Sequence, residues 1–371
     1  MSVAVNTARL FALIVGAGAL GGIVVPAFVA GAPGPTAVSG SGSAALTLPA
    51  LRAAPELPAS APERQAISLL RRAASAGNDR GYSGTQFVTS WSTAGTSSVV
   101  VDLQHMAGRG VLVRLAAARG SSAVDDAGAA TLDARALAVL ERHYVLSVAT
   151  RGGQCAGRPA RIVEARPRGA SAVAGRFWLD VATGLVLRRE LYDGTGHTVR
   201  AAAFVDLQMS TPKPWTGSTH KAAADAAAHG GSPVDSQQLS KLRRQGWRAP
   251  GRLAGGMELF DARSHEAVLH LSYTDGLFAV SVFSQAGRLN PDSVKGWQHA
   301  SMAGTPAWTR PGLSQRVVWA GGGWVYTAVA DAPDSVVATA VAAFPVTGRD
   351  SLGRRIARGL HRMGSWVNPI R

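Results

Sequence analysis

Ser218 and Lys221 stand in S-x-x-K order, the spacing of an acyl-transfer nucleophile and its amine. That chemistry needs a helix to aim the lysine at the hydroxyl, with S-D-N and K-T-G partners elsewhere. The flanking segment is rich in Pro, Ala and Gly and the partners are missing, so the spacing reads as chance. Gly16-Ala17-Gly18-Ala19-Leu20-Gly21 matches the G-x-G-x-x-G fingerprint of dinucleotide sites. A working fingerprint follows a strand, opens a helix and meets an acidic residue about twenty positions on. Here Ser, Gly and Ala occupy those later positions, and the glycines lie in an apolar leader-like run. The nine histidines form neither H-E-x-x-H nor a His/Cys cluster, so neither a metal nor a cofactor is indicated. His143 and His197 read as surface or strand-end residues, and Asp125-Asp126 as a solvated turn. Cys155 is the only cysteine, which excludes an intramolecular disulfide and leaves it as a small residue of a strand interior. Nothing converges as a nucleophile, base or oxyanion site, and the expected class is binding without catalysis.

Composition narrows the partners. The chain has 371 residues, 46% hydrophobic and 16% charged, with a formal charge of +15. Such a surface attracts nucleic acid, anionic lipid or an acidic protein. Arg9 precedes a charge-free apolar run broken by Pro26 and followed by Ala30-Gly31-Ala32, the pattern of a signal peptide (residues 1–32) or of a membrane anchor. Either places the remainder outside the cytoplasm, which removes nucleic acid and favours an anionic membrane surface. Residues 33–61 are an Ala/Pro-rich spacer.

Elements follow from period and punctuation. Ser60 and Glu63 form an S-x-x-E start with Pro62 in the first turn, ahead of a stripe through Ile67, Leu70 and Ala74. Strand runs are expected at 82–91, 97–106 and 110–116, a helix at 132–143 capped by Thr131, and a strand at 144–149. Residues 176–180, 185–192 and 198–207 then form an antiparallel meander, turned at Thr183-Gly184 and at Asp193-Gly194, where Asp-Gly would supply positive backbone dihedrals. The pattern is lost over 209–239. Two hairpins follow, 268–273 with 277–283 through Asp275-Gly276, and 316–319 with 324–330 through the glycines at 321–323. A closing helix carries Val337, Val341 and Phe344.

These motifs, in this order, resemble the MucB/RseB family of sigma-factor regulators, whose N-terminal domain is related to the LolA-type lipoprotein carriers. The resemblance is carried by G-R-P-A-R at 157–161, by F-W-L-D, A-T-G-L and L-R-R-E-L at 177–191, and by D-G-x-G followed by a strand ending Phe204-Val205-Asp206-Leu207. The runs 268–283 and 319–333 are similar to the smaller C-terminal domain. The implied fold is α+β: a LolA-like curved antiparallel half-barrel sheet with helices at 62–210, a linker at 211–240, and a smaller antiparallel sheet plus helix at 241–345. The implied partner is the extracytoplasmic segment of a membrane anti-sigma factor, whose sigma factor the complex keeps inactive and lipid or lipoprotein signals release. The alternative is a lipid or lipoprotein carrier of LolA or LppX type, against which the second domain argues.

Phe87, Trp91, Phe177 and Trp178 are the candidate lining of an acyl pocket, with ordinary core packing as the competing reading. Residues 346–371 read as a basic amphipathic helix at a membrane surface, with a helix packed on its own domain as the competing reading. Leu352, Ile356, Leu360, Met363 and Val367 make one stripe, while Arg354, Arg355, Arg358 and Arg362, with Trp366, would meet lipid headgroups.

Overall fold

The computed structural model describes residues 4–5, 60–93, 95–107, 110–115, 134–209, 231–265 and 267–344. Apart from Ala4–Val5, whose backbone pairs in parallel with Arg288–Leu289, the leader and residues 33–59 of the spacer lie outside these residues, and Ala61 at the spacer's end opens the first helix. The Thr131 cap, the Ser218/Lys221 spacing and the 346–371 pattern also lie outside them.

Helix α1 (Ala61–Asp79) starts where Ser60 accepts from the Glu63 amide at 3.3 Å, while the Glu63 carboxylate accepts from Arg168. Strands β1 (Tyr82–Ser92), β2 (Gly95–Met106) and β3 (Gly110–Leu115) precede helix α2 (Ala134–His143). Then come β4 (Tyr144–Val148), β5 (Gly153–Cys155), β6 (Arg158–Pro167), β7 (Gly175–Asp180), β8 (Val186–Tyr192) and β9 (Thr198–Gln208). They form one nine-stranded antiparallel sheet in the order β3-β2-β1-β9-β8-β7-β6-β4, with β5 paired to β6. The meander is present. Its turn at Thr183-Gly184 has Gly184 at φ +86°, but in the β8–β9 turn the positive φ is at Gly196 (+88°), not at Gly194. Asp193 explains the change: its carboxylate caps the amides of Thr195 and His197, so the turn widens to five residues.

The stretch expected to lack pattern ends in structure. Strand β10 (Ser232–Pro233) precedes α3 (Ser236–Arg244), which opens on an Asp235/Gln238 capping box. The second sheet contains β11 (Glu258–His265), β12 (Val268–Thr274), β13 (Ala279–Ala286), β15 (Gln298–Met302), β16 (Thr305–Arg310), β17 (Gln315–Gly321) and β18 (Trp324–Asp331), with a short β14 (Arg288–Leu289) beside it. Its order is β10-β11-β12-β13-β18-β17-β16-β15, eight strands where two hairpins were legible. Helix α4 (Asp334–Ala343) closes it, and the Phe344 carbonyl accepts from the indole of buried Trp319 at 2.9 Å.

One continuous apolar core joins the sheets. Ala66 and Leu70 of α1, Leu137 and Leu140 of α2, and Val163, Phe177 and Leu179 of the first sheet belong to the same cluster as Leu271, Tyr273, Leu277, Trp319 and Phe344 of the second part. The α+β class expected from the sequence is met, and the two parts share their interior.

Candidate functional site

Strand alternation sorts the aromatic candidates. Val100, Phe87, Ala203, Arg188, Trp178 and Ile162 are successive cross-strand partners, a single row on one face of the first sheet. That face is opposite the helices. Phe87 is 46% exposed and Trp91 39%, whereas Trp178 is buried beside Leu187 and Cys155 with the Arg188 guanidinium 4.8 Å above its ring. Phe177 belongs to the neighbouring row, Val163, Phe177, Arg189, Ala202, Val88 and Val99, which faces the helices. The four residues therefore do not share one lining: Phe87, Trp91 and Trp178 lie on the open face, and Phe177 is core. Neighbouring positions in a strand point to opposite faces, so Phe177 and Trp178 could not both have lined it.

A concavity lies between the sheets. A cavity of about 560 Å³ is bounded by the end of β1, the β8–β9 turn, the β16–β17 loop and the β18–α4 junction. Trp91, His197, Arg200, Leu313, Gln315 and Asp334 are among its walls. Gln315 keeps a buried Oε1 without a hydrogen-bond partner, an acceptor open to a donor from an occupant.

Beside the cavity is a polar knot that ties the sheets together. Arg200 of β9 is paired across the strands with Ser90 of β1, on the inward-facing side shared with Ala202 and Phe204. Its guanidinium donates to Ser90 Oγ at 2.9 Å, to the Leu313 carbonyl and to Asp331 Oδ1 at 3.1 Å. Ser90 Oγ donates to the same carbonyl at 2.6 Å, and Ser314 Oγ to Asp331 at 2.9 Å. Burial pushes the Asp331 carboxyl up to about 6, although the Arg200 charge, the Ser314 hydroxyl and Arg189 all pull it down. Arg189 donates to the Leu277 carbonyl across the junction. Its own value is lowered to about 10 by burial and by Arg200, against the pull of Asp331, Asp275 and Tyr144. Tyr144 OH donates to Asp275 Oδ2 at 2.6 Å, and burial holds that carboxyl above its ordinary range.

The sequence reading missed Arg200 and Asp331 as a pair. Arg200 did leave a signal: it sits in phase with Ala202 and Phe204, a charge on an apolar face that needs a buried partner. Asp331 left none, being an acidic residue at a strand end before Ala332-Pro333.

Among the described residues no cluster of three or more His, Cys, Asp or Glu could hold a metal ion, and no helix is long and apolar enough to cross a membrane. Fold and cavity together define a two-sheet α+β protein with a polar cleft where its sheets meet. Residues 112–239 match the family model of the MucB/RseB N-terminal domain. That stretch is similar to the domain whose motifs the sequence resembles. Two solved structures are similar over 75% of this chain: a Pseudomonas aeruginosa MucA/MucB complex, 20% identical with 97% of that chain covered and a TM-score of 0.41, and MucB alone, 19% identical with 96% covered and a TM-score of 0.42. A LolA superfamily protein from Nitrosomonas europaea is 10% identical over 40% of this chain and 94% of that one, with a TM-score of 0.19. No curated protein sequence matches the chain.

Proposed function

We propose that the protein is an extracytoplasmic regulator that holds the outer segment of a membrane anti-sigma factor in the cleft between its two sheets, controlling an envelope-stress sigma factor. The match of residues 112–239 to the MucB/RseB N-terminal domain carries this reading. The cleft supports it physically: it is large enough for several side chains, walled by Trp91 and Leu313, and supplied with the unfilled Gln315 acceptor. Acyl lipid or lipoprotein acts as the signal in this reading, with Phe87, Trp91 and Trp178 of the open face as the contact and 346–371 as the anionic-surface element.

Calorimetric titration of the full chain with the extracytoplasmic segment of its cell's anti-sigma factor tests the proposal. Saturable binding is expected. Gly312→Trp should weaken it by filling the cleft, because a Cβ at Gly312 meets only Ser314 O, at 3.4 Å. Absence of binding by the native chain removes the regulator reading, and undiminished binding by the folded Gly312→Trp variant moves the site elsewhere. For the signal, a fluorescent fatty acid should bind saturably and lose affinity in Phe87→Ser. No saturable titration would remove lipid sensing and leave protein binding standing.

A further inference from the structure

The charges buried at the sheet junction have a consequence for the cleft beside them. Asp331 ends β18, directly before the α4 segment that forms one wall, and Arg200 lies on β9, directly after the turn that forms another. With the walls as they stand the two side chains, Arg200 and Asp331, are 8% and 11% exposed, bridging the sheets at 3.1 Å, and any separation of the walls would return both to water. A carboxylate that is solvated when the cleft is open and desolvated when it is closed takes up a proton on closing. We propose that Arg200 and Asp331 form a proton-sensitive latch, which closes the cleft more tightly as the surrounding medium turns mildly acidic and loosens it toward neutral pH.

The direction follows from burial against pairing. Arg200, Arg189 and the Ser314 hydroxyl favour the ionised carboxylate, and desolvation outweighs them. The linkage sign is that of a raised group: the closed form binds the extra proton between the ordinary carboxylate value and the raised one, so closure strengthens as pH falls through that window and weakens above it. Protonated Asp331 does not strand Arg200, which still donates to the Leu313 carbonyl and to Ser90 Oγ. The other charges around Asp331 do not reverse the sign. Arg189 stays cationic throughout. Asp275 is itself raised by burial against α2 and β4, with Tyr144 as its donor, and pushes in the same direction. His197 contacts Thr195 and Asp193 within its own turn, and Asp334 accepts from Thr93 at 2.7 Å. What the latch means for binding rests on the cleft being the anti-sigma site, but its opening and closing do not.

The test uses the full chain without any partner. Spin labels at Val205→Cys on β9 and Gln298→Cys on β15, with buried Cys155 left in place, report the separation of the sheets by pulsed dipolar spectroscopy. With Asp331 at its ordinary value of 3.8 when open and about 6 when closed, the closed-to-open ratio should rise about tenfold from about pH 7.5 to about pH 5. Asp331→Asn should flatten the response, while His197→Gln and Glu258→Gln should keep it. If circular dichroism shows Asp331→Asn unfolded, the Arg200→Met/Asp331→Asn double variant takes its place. A native chain whose ratio is constant or falls with acid overturns the latch, as does a full response in the asparagine variant. Since no anti-sigma segment is present, failure here leaves the binding proposal untouched, and failure of that titration leaves the latch untouched.

Discussion

Two of the contacts that join the first part of the molecule to the second pair an arginine with a carboxylate, in opposite surroundings. At the buried tie, Arg200 meets Asp331 with side chains 8% and 11% exposed, and burial leaves the carboxyl raised to about 6. At the rim, Arg142 of α2 meets Glu258 of β11 at 2.6 Å with 45% and 20% exposed, His143 adds a contact at 3.3 Å, and Arg252 reaches the same carboxylate. Burial is also the largest single influence on Glu258 and opposes its ionisation, but the hydrogen bonds and charges of Arg142 and His143 together outweigh it and leave the carboxyl below its ordinary value. Distance alone would rank the rim pair stronger. Desolvation reverses both the energetic stake of the pair and the sign of its pH dependence.

The largest disturbance should come from backbone beside the buried tie. Gly276 follows Asp275 at φ +90°, and a Cβ there would lie 2.3 Å from the Leu140 amide nitrogen and 2.5 Å from its Cα. Gly276→Val therefore forces α2 away from the second sheet as well as straining the turn. Strain alone costs about 1–3 kcal/mol, and the displaced helix adds to it. Urea melts should show both parts of the molecule losing stability together, because Leu140 and Leu277 belong to one core. A midpoint within error of the native chain would mean that α2 does not rest on this turn. Gly194→Val, where a Cβ meets nothing within 4 Å and φ is not positive, should change little.

Next is Arg200→Met. It leaves Asp331 buried without its guanidinium and should cost about 3–5 kcal/mol at neutral pH, the range seen when one member of a buried pair is removed. Arg200→Met/Asp331→Asn should recover most of that loss. Arg142→Met at the rim should cost at most about 1 kcal/mol, since half-exposed pairs are screened by water. Chemical denaturation of the four proteins decides this, and equal losses at the two ties would break the contrast.

Legibility in the sequence followed the same division. The meander, the Gly184 and Gly276 turns and the Ser60 start were readable because each is fixed by local dihedral preference or by a side chain a few residues away. The Asp193 turn was placed correctly but not its positive φ, because the deciding bonds are made by the Asp193 carboxylate inside a longer loop. Strands β15 and β16 gave little period-2 signal: Gln298–Met302 is largely exposed, and Thr305–Arg310 buries only Ala307. Alternation distinguished Phe177 from Trp178 in principle, but which face the helices and second sheet would cover depends on long-range packing. The cleft was invisible for the same reason, since its walls come from four segments distant in sequence.

Tyr144→Phe sharpens the buried side by a smaller step. It removes the hydroxyl that donates to Asp275 Oδ2, while the Leu277 and Phe278 amides continue to hold Oδ1. A buried acceptor losing one donor costs about 1–3 kcal/mol, and two surviving donors on the other oxygen place this case at the low end. Thermal melts at neutral pH measure it. A loss as large as that of Arg200→Met would show that Asp275, rather than Asp331, dominates the junction.

The smallest expected effect is at the rim, where it is best read through pH. In the native chain Glu258 has a lowered value, so its contribution to stability is complete above the ordinary value of 4.5 and fades as pH falls through the lowered one. Asp331 behaves oppositely, adding stability as pH drops from neutral toward about 5. Glu258→Gln should therefore cost no more than about 1 kcal/mol at pH 7 and remove part of the acid-side loss, leaving the rise toward pH 5 in place. Asp331→Asn should remove that rise and leave the acid-side loss. Denaturation midpoints of the three proteins measured across the acid range separate the two carboxylates, because each substitution flattens a different limb. If Glu258→Gln flattened the limb between neutral pH and 5 instead, the rim would be the titrating contact and the buried pair a passive one.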